Sequence, residues 1–159
     1  MLLVLGLFLG MSAQAQTNRR LLHGKFSFWS GGMEASLSVE WNGNALVYSE
    51  SKLGTTVTNR TIRPTDKQWV KFWAATDKMQ LSRWQSLYEN PKIMDGWVWS
   101  IEITHGAQKV KTMGRNAVPD VDVMKTAKEV LPNKTFDAFK AALEGLLGFK
   151  LGPGTLKTQ

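Results

Sequence analysis

The stretch from Trp97 to Lys111 constrains the fold more than any other part of the chain, because it alternates and then answers itself. Trp97, Trp99, Ile101 and Ile103 take every second position, with Val98, Ser100, Glu102 and Thr104 between them. A period of two belongs to a strand with one face buried and one wet. His105-Gly106-Ala107-Gln108 follows, with glycine at the first central position of a type II′ turn. With Gly106 and Ala107 as the loop, Ile103 pairs with Val110 and Glu102 with Lys111, so apolar meets apolar and acid meets base.

A second alternation lies upstream. Met33, Ala35, Leu37, Val39 and Trp41 interleave with Glu34, Ser36, Ser38 and Glu40, and Asn42-Gly43, which tolerate positive φ, follow at once. The reading is a strand, a tight hairpin and a return strand from Ala45 to Ser51 with Leu46 and Tyr48 inward. Lys25 to Trp29 reads as a first strand, and the β-branched run from Thr55 to Ile62 as a third or edge strand. Pro64 closes this sheet segment. Thr65 with Gln68 forms a capping box, after which Trp69, Phe72, Trp73 and Thr76 share one helical face with Lys67, Lys71 and Lys78 off it. Leu81, Trp84 and Tyr88 suit another helical face ended by Asn90-Pro91, and a helix with Val123, Met124, Ala127 and Val130 starts near Asp122 and stops at Pro132. Thr135 caps a last helix that carries Phe136, Phe139, Leu143, Leu146 and Leu147 and ends at Gly148. This succession predicts an α+β fold: an antiparallel sheet of about five strands with one face covered by two to four helices.

At 159 residues the chain has the size of one domain. Its apolar run from Leu2 to Met11, then Ser12 and Ala13-Gln14-Ala15, has the pattern of a secretory signal peptide with small residues before the cut. The run is too short for a membrane span, which needs about twenty apolar residues. The expected organisation is a signal peptide at 1–15, a lead-in at 16–24, a single α+β domain at 25–149 and a tail at 150–159. The mature chain is then secreted or periplasmic, and no later segment has the length of a transmembrane helix. Cysteine is absent, which excludes disulfides, thiolate metal sites and a cysteine nucleophile; seven Trp supply apolar area instead. The net charge is +7. Its carriers are scattered pairs such as Lys109 and Lys111, or Lys125 and Lys128, which read as a solvated basic surface rather than a nucleic-acid stripe.

The order Trp84, Tyr88, Asp95-Gly96, Trp99 and Gly114-Arg115-Asn116-Ala117-Val118-Pro119 resembles a group of uncharacterised secreted bacterial domains of unknown function. Their pattern is W-x3-Y, then DG, then W, a hairpin and G-x-N-A-Y-P. The resemblance implies a bacterial α+β domain and brings no catalytic assignment. This chain has Val118 where the pattern has tyrosine, so an aromatic that could contact a ligand is missing. From the residues themselves, Asp95-Gly96 suits a tight turn, Gly114 and Asn116 tolerate left-handed backbone, and Pro119 keeps Val118 extended.

No catalytic constellation is legible. His23 falls in the lead-in and His105 beside a turn, two His give no metal-ligand spacing, and G-x-S-x-G, a phosphate loop and H-E-x-x-H are all missing. Neither a metal nor a cofactor is expected. Trp69, Trp73, Trp84 and Trp99 lie on expected core faces. Trp29 opposes Phe26 and Phe28 in strand parity, next to Gly31-Gly32, and is the best candidate for an exposed aromatic. The candidate binding residues are Trp29, Asp95, Arg115 and Asn116, the last three from loops that can present polar groups to a partner. The expected function is a non-enzymatic binding or accessory domain for an extracellular or envelope ligand. A small secreted hydrolase is the alternative.

Overall fold

The structure, a computed structural model, describes residues 24–93, 96–119 and 134–151. The expected signal peptide, the lead-in through residue 23, Asp95, the helix near Asp122 and the tail from residue 152 lie outside the described residues.

The first four strands form an antiparallel meander. Strand β1 (Lys25–Gly31) pairs antiparallel with β2 (Ala35–Trp41), and β3 (Leu46–Lys52) returns along β2 and pairs with β4 (Thr55–Ile62). The alternation of β2 does not extend back to Met33, which sits in the β1–β2 turn with its side chain in water. The turn after Trp41 is wider than the two residues expected, since Trp41 pairs with Leu46 and the Asn42 backbone N–H donates to the Ala45 carbonyl at 3.1 Å. The Asn42 side-chain oxygen accepts the N–H groups of Asn44 and Ala45, which explains why asparagine stands there.

Helix α1 (Asp66–Lys78) starts at the capping box: Thr65 accepts from the Gln68 N–H, and the Gln68 side chain accepts from the Thr65 N–H at 2.8 Å. It buries Trp69, Phe72, Trp73 and Thr76, the face the spacing defines. Gln80, in the left-handed region at φ 53°, ends the helical path, and a short 3-10 turn (Leu81–Arg83) follows. The helix expected to carry Leu81, Trp84 and Tyr88 on one face is therefore replaced by that turn and by β5 (Leu87–Glu89), which runs parallel to the edge of β7. Leu81, Trp84 and Tyr88 do face the core, but the open edge of β7 supplies backbone partners that extended residues can use and helical ones cannot. The Met113 N–H donates to the Ser86 carbonyl, and the Asn90 N–H to the Arg115 carbonyl, both at 3.0 Å.

Strands β6 (Val98–His105) and β7 (Gln108–Arg115) form the hairpin with the expected register, Ile103 opposite Val110 and Glu102 opposite Lys111. Helix α2 (Lys134–Leu147) buries Phe136, Phe139, Leu143, Leu146 and Leu147 and closes at Gly148, whose φ of 80° suits the position after a helix.

The fold is α+β. Among the described residues the sheet is larger than expected and mixed: seven strands in the order β4-β3-β2-β1-β6-β7-β5, antiparallel apart from the β5–β7 pair. The strand that local pattern does not reveal is β5, a long-range parallel addition to β7, and β1, expected as a strand, proves to lie between β2 and β6. Helices α1 and α2 pack on each other and cover one face. Between them and the sheet lies an aromatic core in which Phe26 meets Phe72 edge-on at 5.3 Å and Phe28 meets Phe139 at 5.5 Å. Among the described residues no helix is long and apolar enough to cross a membrane.

Candidate functional site

Parity along β1 decides what the open face carries. Phe26, Phe28 and Ser30 point into the core, so Lys25, Ser27, Trp29 and Gly31 point the other way. The pairings then assemble rows that cross the whole sheet. The row through Trp29 reads Asn59, Ser49, Ser38, Trp29, Ser100, Met113, Leu87 from β4 to β5. It contains no charge. The next row reads Thr61, Val47, Glu40, Ser27, Glu102, Lys111, and there Glu102 and Lys111 pair at 3.9 Å in solvent.

Trp29 lies near the middle of this face and is 39% exposed, whereas Trp69 and Trp99 are fully buried. Its indole leans along β1 toward Gly31. A Cβ at Gly31 would come within 2.8 Å of the Trp29 Cζ2 and 2.6 Å of the Ser36 Cβ, so the missing side chain makes the space the six-membered ring occupies. The Cζ2 and Cη2 side of the ring thus lies over Gly31, and part of the ring is left to water. Beside it lies a shallow, open concavity of about 530 Å³, bounded by Ser27, Ser86, Ser100, Glu102, Lys111 and Met113.

The remaining sequence candidates separate into two kinds. Arg115 shares the open face, since Gly31 pairs with Val98 and Val98 with Arg115; its guanidinium donates to the Glu89 carboxylate at 3.4 Å. Asn116 belongs to the scaffold instead. It sits at φ 53°, its side-chain oxygen accepts the Trp97 N–H at 2.8 Å, and its amide nitrogen donates to the Ile93 carbonyl at 3.1 Å. Both ends of that amide are engaged in holding two loops together. Asp95 lies outside the described residues. His105 stacks flat on Trp73, with ring centroids 4.1 Å apart.

The pattern that carried the resemblance gathers around one buried residue, Trp99. Trp84 meets it edge-on and Tyr88 stacks on it, each at 6.1 Å. Its indole N–H donates to the Ala117 carbonyl at 2.8 Å, and a side chain at Gly114 would collide with both the indole and that carbonyl. Val118 and Pro119, which follow Ala117, are buried as well. The pattern therefore has a structural use: it seats a tryptophan.

The open face can stack and hydrogen-bond. Glu40 and Glu102 flank Ser27 in one row, yet both stand in solvent rather than in a water-excluded cleft of the kind acid-base catalysis uses. Among the described residues no group of three or more His, Cys, Asp or Glu is placed to hold a metal ion. Sequence reasoning placed Trp29 outward with Gly31 beside it but did not bring in Ser38, Ser100 or the concavity. Their signal was serine at outward positions, Ser36 and Ser38 of β2 and Ser100 of β6, which acquires meaning only once both strands flank β1. A comparison with protein-family models finds no match for this chain, and a search of curated proteins finds none either.

Proposed function

We propose that this chain is a secreted bacterial domain, like the uncharacterised domains its Trp99-centred pattern resembles, and that it is a binding domain which holds its ligand on the open face of the sheet. The observation that carries the reading is the seat of Trp29: a large aromatic left 39% exposed at the middle of a seven-stranded sheet, with Gly31 clearing room for its ring. Exposing an indole forgoes burial worth several times the thermal energy, and the neighbours of this one are small enough to let a partner approach. Export is supported by the apolar run from Leu2 to Met11 and the Ala13-Gln14-Ala15 segment.

The test is titration of the protein, followed by calorimetry, with a panel of extracellular oligosaccharides and peptides. A saturable heat with one of them should vanish in Trp29→Ala. The variant should lose about 1–2 kcal/mol of stability, because its ring is only half buried, against about 3–5 for truncating a core tryptophan. Binding that survives in Trp29→Ala places the site elsewhere. A loss in the core range makes Trp29 a packing residue.

A further inference from the structure

Resting on the reading of the open face as a binding surface, we infer that its ligand is a neutral carbohydrate, one ring of which stacks on Trp29 while its hydroxyls bond to Ser38, Ser100 and the groups of the adjoining concavity. Three features of the face select this chemistry over its rivals.

The first is the platform. An indole whose Cζ2 and Cη2 lie over Gly31 and which stays 39% exposed offers aromatic surface to a partner, and the negative charge of a π face attracts polarised C–H groups. A sugar ring offers such groups on its apolar side.

The second is the flanking chemistry. Ser38 and Ser100 stand directly across from Trp29 on the two neighbouring strands, so they lie two strand spacings apart, about 9–10 Å. Hydroxyls both donate and accept, which matches the equatorial hydroxyls that rim a stacked sugar. Glu102 and Lys111, which bound the concavity with Ser27 and Met113, add an acceptor and a donor for a neighbouring ring. A site of about 530 Å³ has room for such a residue.

The third is what the face does not offer. The Trp29 row is uncharged, and in the next row Glu40 and Glu102 flank Ser27 while Lys111 pairs with Glu102, so nothing there draws an anionic polymer. The basic excess lies elsewhere, for example at the exposed Lys67, Lys71 and Lys78 of α1. A peptide fares no better. The backbone groups of β2, β1 and β6 are consumed by ladders on both sides, so a chain laid across them would leave its own N–H and C=O groups without main-chain partners. A carbohydrate needs none.

The probes are uncharged linear hexamers of β-1,4-linked glucose, xylose, mannose and N-acetylglucosamine, with heparin and an extended peptide library as rivals, all read by calorimetry. One of the hexamers is expected to bind saturably, with an affinity that changes by less than about twofold between low and high salt, as for a ligand with no charge to screen. Trp29→Ala should weaken it by at least about tenfold, Trp29→Phe by less, and Gly31→Ala by several-fold, because a methyl there displaces the ring while leaving the indole present. Should Trp29→Ala fail to fold, Trp29→Phe and Gly31→Ala carry the test. Trp29-dependent binding of peptides alone overturns the carbohydrate and leaves the binding face standing. Binding of heparin that collapses with salt overturns it too. No Trp29-dependent response to any probe overturns both.

Discussion

At the scale of single residues, small and polar side chains do most of the positioning. Gly114 is glycine because the Trp99 indole and the Ala117 carbonyl occupy the space of its side chain, and Asn116 spends its amide on Trp97 and Ile93. Tyr48 is a different case. Its ring is buried against Phe149, and its hydroxyl donates to the Glu50 carboxylate at 3.2 Å. Burial, reinforced by the Glu50 charge and that hydrogen bond and opposed by Arg60, pushes the hydroxyl up to about 12 from its ordinary 10.0. The folded state holds this proton more tightly than the unfolded chain does. Its contribution to stability is present below pH 10 and is lost as the pH rises through about 12. Urea midpoints measured across that range should fall more steeply for the native protein than for Tyr48→Phe. Parallel slopes would mean that Tyr48 does not drive the alkaline loss.

At the scale of elements, the β6–β7 hairpin gives the sharpest separation of the two faces. Ile103 is 2% exposed and lies between Phe26 and Val110, whereas Glu102, one residue away, reaches solvent and meets Lys111 at 3.9 Å. Ile103→Ala should cost about 2–5 kcal/mol as a buried truncation. Glu102→Gln, which removes an exposed ion pair, should cost less than about 1 kcal/mol. Denaturant melts of the two variants decide this, and equal losses would reverse the assignment of faces. Helix α1 shows local and long-range agreement of another kind. Gln68 completes the capping box, and its side-chain nitrogen also donates to the Gly145 and Leu146 carbonyls near the end of α2, both at 3.3 Å. One residue thus starts one helix and satisfies the end of another.

At the scale of the whole molecule, both hairpins, β5 and both helices meet in one apolar cluster that runs from Tyr48 through Trp69 and Phe139 to Trp99. Unfolding should therefore be cooperative, with near-ultraviolet ellipticity, fluorescence and helical signal lost at one midpoint; resolved midpoints would show that the β2–β4 end and the β6–β7 end open separately. The sequence by itself determined what depends on near neighbours: the inward and outward residues of β2 and β6, the β6–β7 register, the capping box of α1, the buried stripe of α2 and the outward parity of Trp29. Those features rest on interactions within one element or across one turn, where side-chain period and turn chemistry act. Tertiary structure alone decided that β1 lies between β2 and β6, that Leu87–Glu89 is a parallel strand on β7, and that Ser38 and Ser100 flank the Trp29 indole. Backbone hydrogen bonds are the same for any two strands, so the choice of partner comes from burying aromatic faces contributed by distant segments, and no window of the sequence contains that sum.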